Sequence, residues 1–479
     1  MLLTMGGVGA GICLAGRSSS WPSPSDVTEL TARLRKIPRS EVFQFAAGAL
    51  KQGAQLSTLL GAAFLAGAQD IRPGPMGGKL HAILMIESTF QLIEESDHRQ
   101  QLLAALWAMD DFKSWQARDI RDGDWQLPAP SPMNFSSIQK GKIELKAALD
   151  TWDGERADRA VSGLGSMISL QEMFSLLRPY GLRCYVDLGH NVFYCDHVER
   201  TLKRIGWQYA PDLLRNMVRG FAYTGRGSSG DDKEFKNAQQ LAPAIRADWL
   251  SGKEDPAQSK QLLKFFRGTN PSQAQRLVVD AFNDGLGANT VWDGIRLYAS
   301  ELFYQRPAEA ARRHAPVHPV TETNAMGYIF RATASAEVKK LAVLQAAGWM
   351  ARLQADLLRF LGNGNKNLLL ALGQSQVQAP SLEQVFAQPS PETAVAYLKG
   401  QPTAAANYLA RMRGELFQKG YQNHQYKLCA ALSEETRLAH KAFSPVLLAP
   451  AITYMLSSKD SPTEAYQHSL AALRAKNLL

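Results

Sequence analysis

The sequence predicts an all-α, multi-helical protein, and three observations carry that expectation. Apolar residues recur at spacings of three and four through most of the chain, as one face of a helix requires. Ala, Leu, Gln, Arg and Met, which lose little freedom in a helix, are abundant. No long Val/Ile/Thr-rich alternating segment reads as a strand. With 479 residues, 45% hydrophobic and 20% charged, the chain can bury one large core or two to three ordinary ones. The expected organisation is an apolar leader-like segment and linker over 1–24, then a single large helical domain over 25–479 with a crossover at 121–134.

Taken in order, "MLLTMGGVGAGICLAGRSSSWPSPS" places a small-residue apolar run before a Ser/Pro-rich linker, the form of the end of an export signal. No Lys or Arg precedes Arg17, so the cationic start is missing; export to the periplasm is expected if this leader works, a cytoplasmic location if it does not. Ile12 before Cys13 spoils a lipoprotein box, and Ile12 also stands where a dinucleotide fingerprint needs its last glycine. "VTELTARLRKI", "EVFQFAAGALKQGAQLSTLLGAAFLAGA", "HRQQLLAALWAMDDFKSWQ", "HVERTLKRIGWQYAPDLLRNMVRGFAY" and "EVKKLAVLQAAGWMARLQADLLRFLG" read as helices. Start signals stand at Ser25 and Asp26, at Ser96 and Asp97, and at Ser335 with Glu337. Gly- and Pro-rich stretches at 72–78, 121–134, 224–233, 267–272, 362–367 and 378–384 read as loops. Nothing beyond the leader reaches the roughly 18 apolar residues of a membrane span, so no stable membrane insertion is expected.

The 53 basic against 44 acidic residues give +9, but scattered, without a basic run or a nucleic-acid-binding module; nucleic acid is not an expected partner. Cys13, Cys184, Cys195 and Cys429 form no CxxC pair, which argues against a zinc ribbon and a disulfide framework. An all-α chain without a G-x-S-x-G elbow does not support Ser/His/Asp hydrolysis. "YTGRGSSGDDK" lacks the GK[ST] ending of a phosphate loop.

The most informative feature is a recurring histidine. In "GGKLHAILMIES", "VDLGHNVFYCDH", "HAPVHPVTETNAM" and "GYQNHQYKLCAA" a loop delivers His81, His190, His318 and His424 to the start of a helix, 109, 128 and 106 residues apart. Cys195 and Cys429 each lie five residues after their histidine, and "LLAALWAM", "LKRIGWQY" and "LQAAGWMA" follow three of the four. These echoes suggest four diverged helical pseudo-repeats of roughly 110 residues around a central pocket, where four imidazoles converge. A helix N-terminus disfavours imidazolium and so favours the neutral ring that a metal requires. Nitrogen-rich sites suit iron, copper or zinc, or the axial positions of haem.

Around these ligands, Glu87 and Asp187 are expected to complete or orient the metal shell, Tyr194 to donate a proton, and Asn324 and Ser88 to contact substrate. His197 is expected on the wet side of its helix, and His98, His314, His440 and His468 on the surface. "DDFKSWQARDIRDGDW", with Asp111, Lys113, Trp115, Arg118 and Asp119, offers either an anion-binding patch or, more commonly, an ion-paired surface cap.

The segments "GAAFLAGAQDIRPGPMGGKLHAILMIES", "LWAMDDFKSWQARDIRDGDW", "GHNVFYCDHVERTLKRIGWQYAPDLLR", "HPVTETNAMGYIF" and "VLQAAGWM" together resemble a group of multi-helical bacterial proteins of unassigned function that begin with a twin-arginine export signal. The resemblance spans about Phe43 to about Pro450 and implies export, although the arginine pair itself is absent. A fainter similarity is to questin oxidase-like proteins, which implies an oxygen-dependent oxidation. The resulting expectation is a metal- or haem-dependent oxidoreductase acting on a small organic molecule. The alternative is a helical repeat protein that binds a partner, with the histidines as structural caps. Neither the substrate nor the oligomeric state is legible.

Overall fold

The computed structural model describes residues 24–74, 78–226, 232–306, 314–364 and 368–479. The leader segment with Cys13 and the centres of the loops at 72–78, 224–233 and 362–367 lie outside the described residues. Among the described residues the chain is helical without a strand, as composition and periodicity require. No described helix is long and apolar enough to cross a membrane.

Local chemistry sets the helix boundaries. The Asp97 side chain accepts the backbone N–H of Gln100 at 2.8 Å and starts His98–Arg121; the Ser335 side chain accepts that of Val338 at 3.3 Å and starts Ala336–Leu361. The first helix, Pro24–Lys36, begins slightly ahead of the Ser25/Asp26 signal. Two segments with unbroken helical patterns are each divided by a glycine. Gly53, at φ +99°, separates Val42–Lys51 from Leu56–Asp70, and Gly206, at φ +113°, separates His190–Ile205 from the helix over Ala210–Arg226. A left-handed residue ends a helix whatever the hydrophobic period continues to say.

Four helices form the centre: His81–Glu94, His190–Ile205, His318–Ala332 and Asn423–Leu438. Each is named below by its histidine. The His81 helix packs on the His190 and His424 helices, and the His318 helix packs on the same two, which closes a ring. They run in the same direction from their histidines. Near the start His197 reaches the Leu84 carbonyl, and about ten residues along Arg200 meets both Glu434 and the Tyr328 ring. Each central helix lies against the helix before it and the helix after it, so it is covered on every side. In chain order these covering pairs are Leu56–Asp70 with His98–Arg121, Leu170–Arg183 with Ala210–Arg226, Ala288–Tyr304 with Ala336–Leu361, and Ala404–Lys419 with Ser444–Leu448. A helix covered all round carries no wet face, and its polar residues must be satisfied by one another.

Many of the charged ones are satisfied by ion pairs about halfway down the ring. Glu87 accepts from Arg204, with Nε–Oε2 at 3.0 Å, and from Thr201. Arg200 joins Asp196 to Glu434; Arg331 and Asn324 also donate to Glu434, and Arg296 links Glu435 to Asp293. Arg178, 2% exposed, donates to both carboxylate oxygens of Glu199 at 3.1 and 2.7 Å. The crossover at 121–134 is irregular and mostly exposed, pinned by the Leu127 N–H on the Gln69 carbonyl, the Met133 N–H on that of Arg159, and the Arg215 guanidinium on that of Pro128. Cys184, Cys195 and Cys429 are buried and not bridged.

Removing one partner of a buried pair leaves the other charge stranded. We expect Glu199→Ala to cost about 3–5 kcal/mol in urea unfolding, because Arg178 is enclosed. Glu29→Ala, at the exposed Glu29–Arg33 pair, should leave the unfolding midpoint nearly unchanged.

Candidate metal centre

The four recurring histidines come together. His81, His190 and His318 are the first residues of their helices and His424 the second of its own, and all four point into the mouth of the ring. Ring centroids are 4.8 Å apart for His81–His424 and His190–His318, 5.5 Å for His81–His190 and 5.4 Å for His318–His424. One nitrogen each from His81, His190 and His424 lies within 4.8 Å of the others, a spacing that can hold a metal ion.

Backbone turns aim two of these rings. Gly78, at φ +94°, presents its carbonyl to His81 Nδ1 at 2.7 Å. Asp187, at φ +57°, presents its carbonyl to His190 Nδ1, again three residues ahead of the ring. Each Nδ1–H donates to that oxygen, which fixes the tautomer and leaves Nε2 with its lone pair toward the cluster. Both Nε2 atoms are buried and have no hydrogen-bond partner. The turn before His190 continues through Leu188 at φ +58° and Gly189 at φ +88°. A side chain at Gly189 is excluded, since a Cβ there would stand 2.6 Å from the Trp349 ring. Two successive non-glycine residues in the left-handed region cost roughly 1–2 kcal/mol each. His318 Nδ1 pairs with Glu322 Oε1 at 3.2 Å, one turn deeper on the same helix.

Burial holds all four imidazoles below their ordinary pKa, His190 at about 4, with the nearby Lys427 charge adding to the effect. The rings are therefore uncharged, as ligation requires. Burial also raises the Glu322 carboxyl well above the carboxylate range and lowers Lys427 to about 8.

The other expected site residues are placed differently. Glu87 lies six residues, about 9 Å, down its helix and is engaged by Arg204, Thr201 and Gln91, away from the rings. Asp187 borders the cluster, and it is its main-chain carbonyl that orients His190. The Tyr194 hydroxyl donates to Asn216 Oδ1, whose amide donates to the carbonyls of Ala68 and Ile71, so Tyr194 faces the covering helices and not the rings. Asn324 donates to Glu434 and Glu435 in the ion network, and Ser88 is buried two turns below His81. His197 is buried, not wet: its Nδ1 bonds the Leu84 carbonyl at 2.6 Å. His314 is half-buried and stacks on His424 at 4.6 Å, so it belongs to the cluster's rim. His98, His440 and His468 are exposed.

Several neighbours escaped the sequence reading. Glu322 and Lys427 lie four and three residues after their histidines, on the face that carries the ring, a helical spacing that would have revealed them. Trp115 stacks on His81 at 6.1 Å, and Asp111 accepts from Asn423 at 2.7 Å and from the Trp115 indole; burial raises Asp111 to about 7. Asp111 and Trp115, both in the first half of "DDFKSWQARDIRDGDW", thus border the cluster. Lys113 donates to the Leu34 carbonyl instead, and Asp119 binds Lys79 and the N–H groups of Arg72 and Trp125; Arg118, near Asp122, is a surface charge. A separate cleft of about 430 Å³ beside Tyr180 and Phe235 contains none of the histidines. Its charges are paired internally, Lys146 with Asp150 and Lys236 with Asp232.

No known protein-family model matches the chain, and no curated protein or solved structure is significantly similar to it.

His197 shows what an imidazole held neutral does to stability. Its folded pKa is far below 6.5, so its stabilisation is full above pH 6.5 and is lost as pH falls below that value. We expect the slope of unfolding free energy between pH 6.5 and 5 to be shallower in His197→Gln than in the parent by about 1 kcal/mol per pH unit on average. Chemical denaturation at stepped pH measures it.

Proposed function

We propose that the protein is a metal-dependent oxidoreductase acting on a small organic molecule, with His81, His190 and His424 as ligands and His318 as the fourth. The observation that carries this reading is the convergence of buried, uncharged imidazoles whose Nε2 atoms on His81 and His190 have no other partner. Leaving such groups unsatisfied is costly, and a metal ion relieves the cost at once. The nearness of the rings favours a single ion over haem, since a porphyrin between axial ligands would need the rings spread around a flat macrocycle. A set of nitrogen donors suits copper or iron as well as zinc. Bound there, copper or iron would supply the electron-accepting centre for an oxidation, with dioxygen as the terminal oxidant.

The chain's own residues have definable parts in this reading. The carbonyls of Gly78 and Asp187 and the Glu322 carboxyl orient three of the rings. The covering helices keep water from the deep side, while His314 and His424, only half-buried, mark the side from which substrate enters. The fourfold placement of histidine-bearing helices supports reading the chain as four diverged units.

Metal analysis and visible spectroscopy after reconstitution with Fe(II), Cu(II) or Zn(II) test the proposal. We expect one ion per chain, and His81→Ala, His190→Ala and His318→Ala should each cut uptake at least tenfold, whereas His98→Ala should not. A folded protein that stays metal-free, or single variants that all retain the ion, would reduce the cluster to a packing contact between helix ends.

A further inference from the structure

Lys427 is the least expected group beside a cation site. It is 1% exposed, on the His424 helix, and its Nζ makes no hydrogen bond; it sits 4.0 Å over the Phe193 ring. Three residues after His424, it reaches across to Phe193, three residues after His190, so it crosses the ring of helices about one turn below the imidazoles. Four helix N-termini add partial positive charge at the same place. The acids within its field are two, Glu322, which pairs with His318, and Asp187. A metal dication added to this chamber would face an ammonium without a full complement of negative charge. A buried like-charge pair is tolerated only when an anion lies between the two.

We propose that the chamber takes its substrate as an anion, an organic molecule bearing a carboxylate, with the carboxylate held between the metal and Lys427; this rests on the metal reading above. A carboxylate matches the single charge of one lysine, and its two oxygens can bind a metal ion and an ammonium at once. Trp115, stacked on His81, gives the carbon part of such a molecule an apolar wall. Lys427 is thus a substrate-binding residue.

The test uses the full chain reconstituted with Co(II), with metal content measured first and the visible spectrum then titrated with formate and with benzoate at constant ionic strength, chloride serving as the control. We expect saturable spectral changes with the carboxylates, weaker binding of chloride, and a formate Kd raised at least tenfold in Lys427→Met while Co(II) content is unchanged. Formate should also tighten Co(II) uptake by the parent protein, since the two equilibria are linked, and this holds even if the variant does not fold. If no Co(II) binds, the metal reading itself falls. If Co(II) binds but formate neither alters the spectrum nor tightens uptake, or binds Lys427→Met as well as the parent, or binds no better than chloride, the carboxylate inference alone is overturned.

Discussion

Everything about this fold turns on the meeting of four helix N-termini over four imidazoles that must stay uncharged. The partial positive charge of the helix ends and the burial of the rings act in the same direction, since both disfavour imidazolium. A neutral imidazole with one nitrogen bonded to backbone keeps a single lone pair, and parallel helices bring such lone pairs to one point. No other arrangement of these helices would do so, because reversing any one would carry its histidine to the opposite end of the ring.

That arrangement needs a clamp, and the clamp is ionic. Glu87, Arg204, Arg200 and Glu434, with Asn324 and Arg331 donating to Glu434, join the four helices about halfway down, and Arg296 ties Glu435 to a covering helix. Buried ion pairs add little net stability, yet they are intolerant of misregistration, because a shift of one turn would strand several charges in the core. Specifying the register of four parallel helices is the role best suited to them. The residues expected near the ligands, Glu87 and Asn324, serve there instead, and Tyr194 serves in the packing of the His190 helix on its covering helices.

The turns ahead of the histidines concentrate backbone strain. Asp187 and Leu188 adopt left-handed angles that non-glycine residues avoid, and His314 does the same four residues before His318. In the first case the result is visible, since the Asp187 carbonyl is brought to bear on His190 Nδ1. Strain held by surrounding packing at the point where a ring is aimed is the usual signature of a preorganised site.

The sequence by itself determined the helical class, the capped helix starts at Asp97 and Ser335, and the appearance of His81, His190, His318 and His424 at the head of four helices, because caps, glycines and apolar period are local properties of the chain. The same locality hid the rest. His197 and Tyr194 share a polar stripe that reads as wet on an isolated helix, and only covering that helix on all sides turned the stripe inward. Glu87 and Asn324 were separated from the rings by depth along the helix and by charged partners more than a hundred residues away in sequence, and His314, Trp115 and Asp111 were brought to the rim by packing alone. Which polar residues face one another across a ring of helices depends on rotation and register, and these are set by long-range packing and charge pairing that no short window of sequence contains.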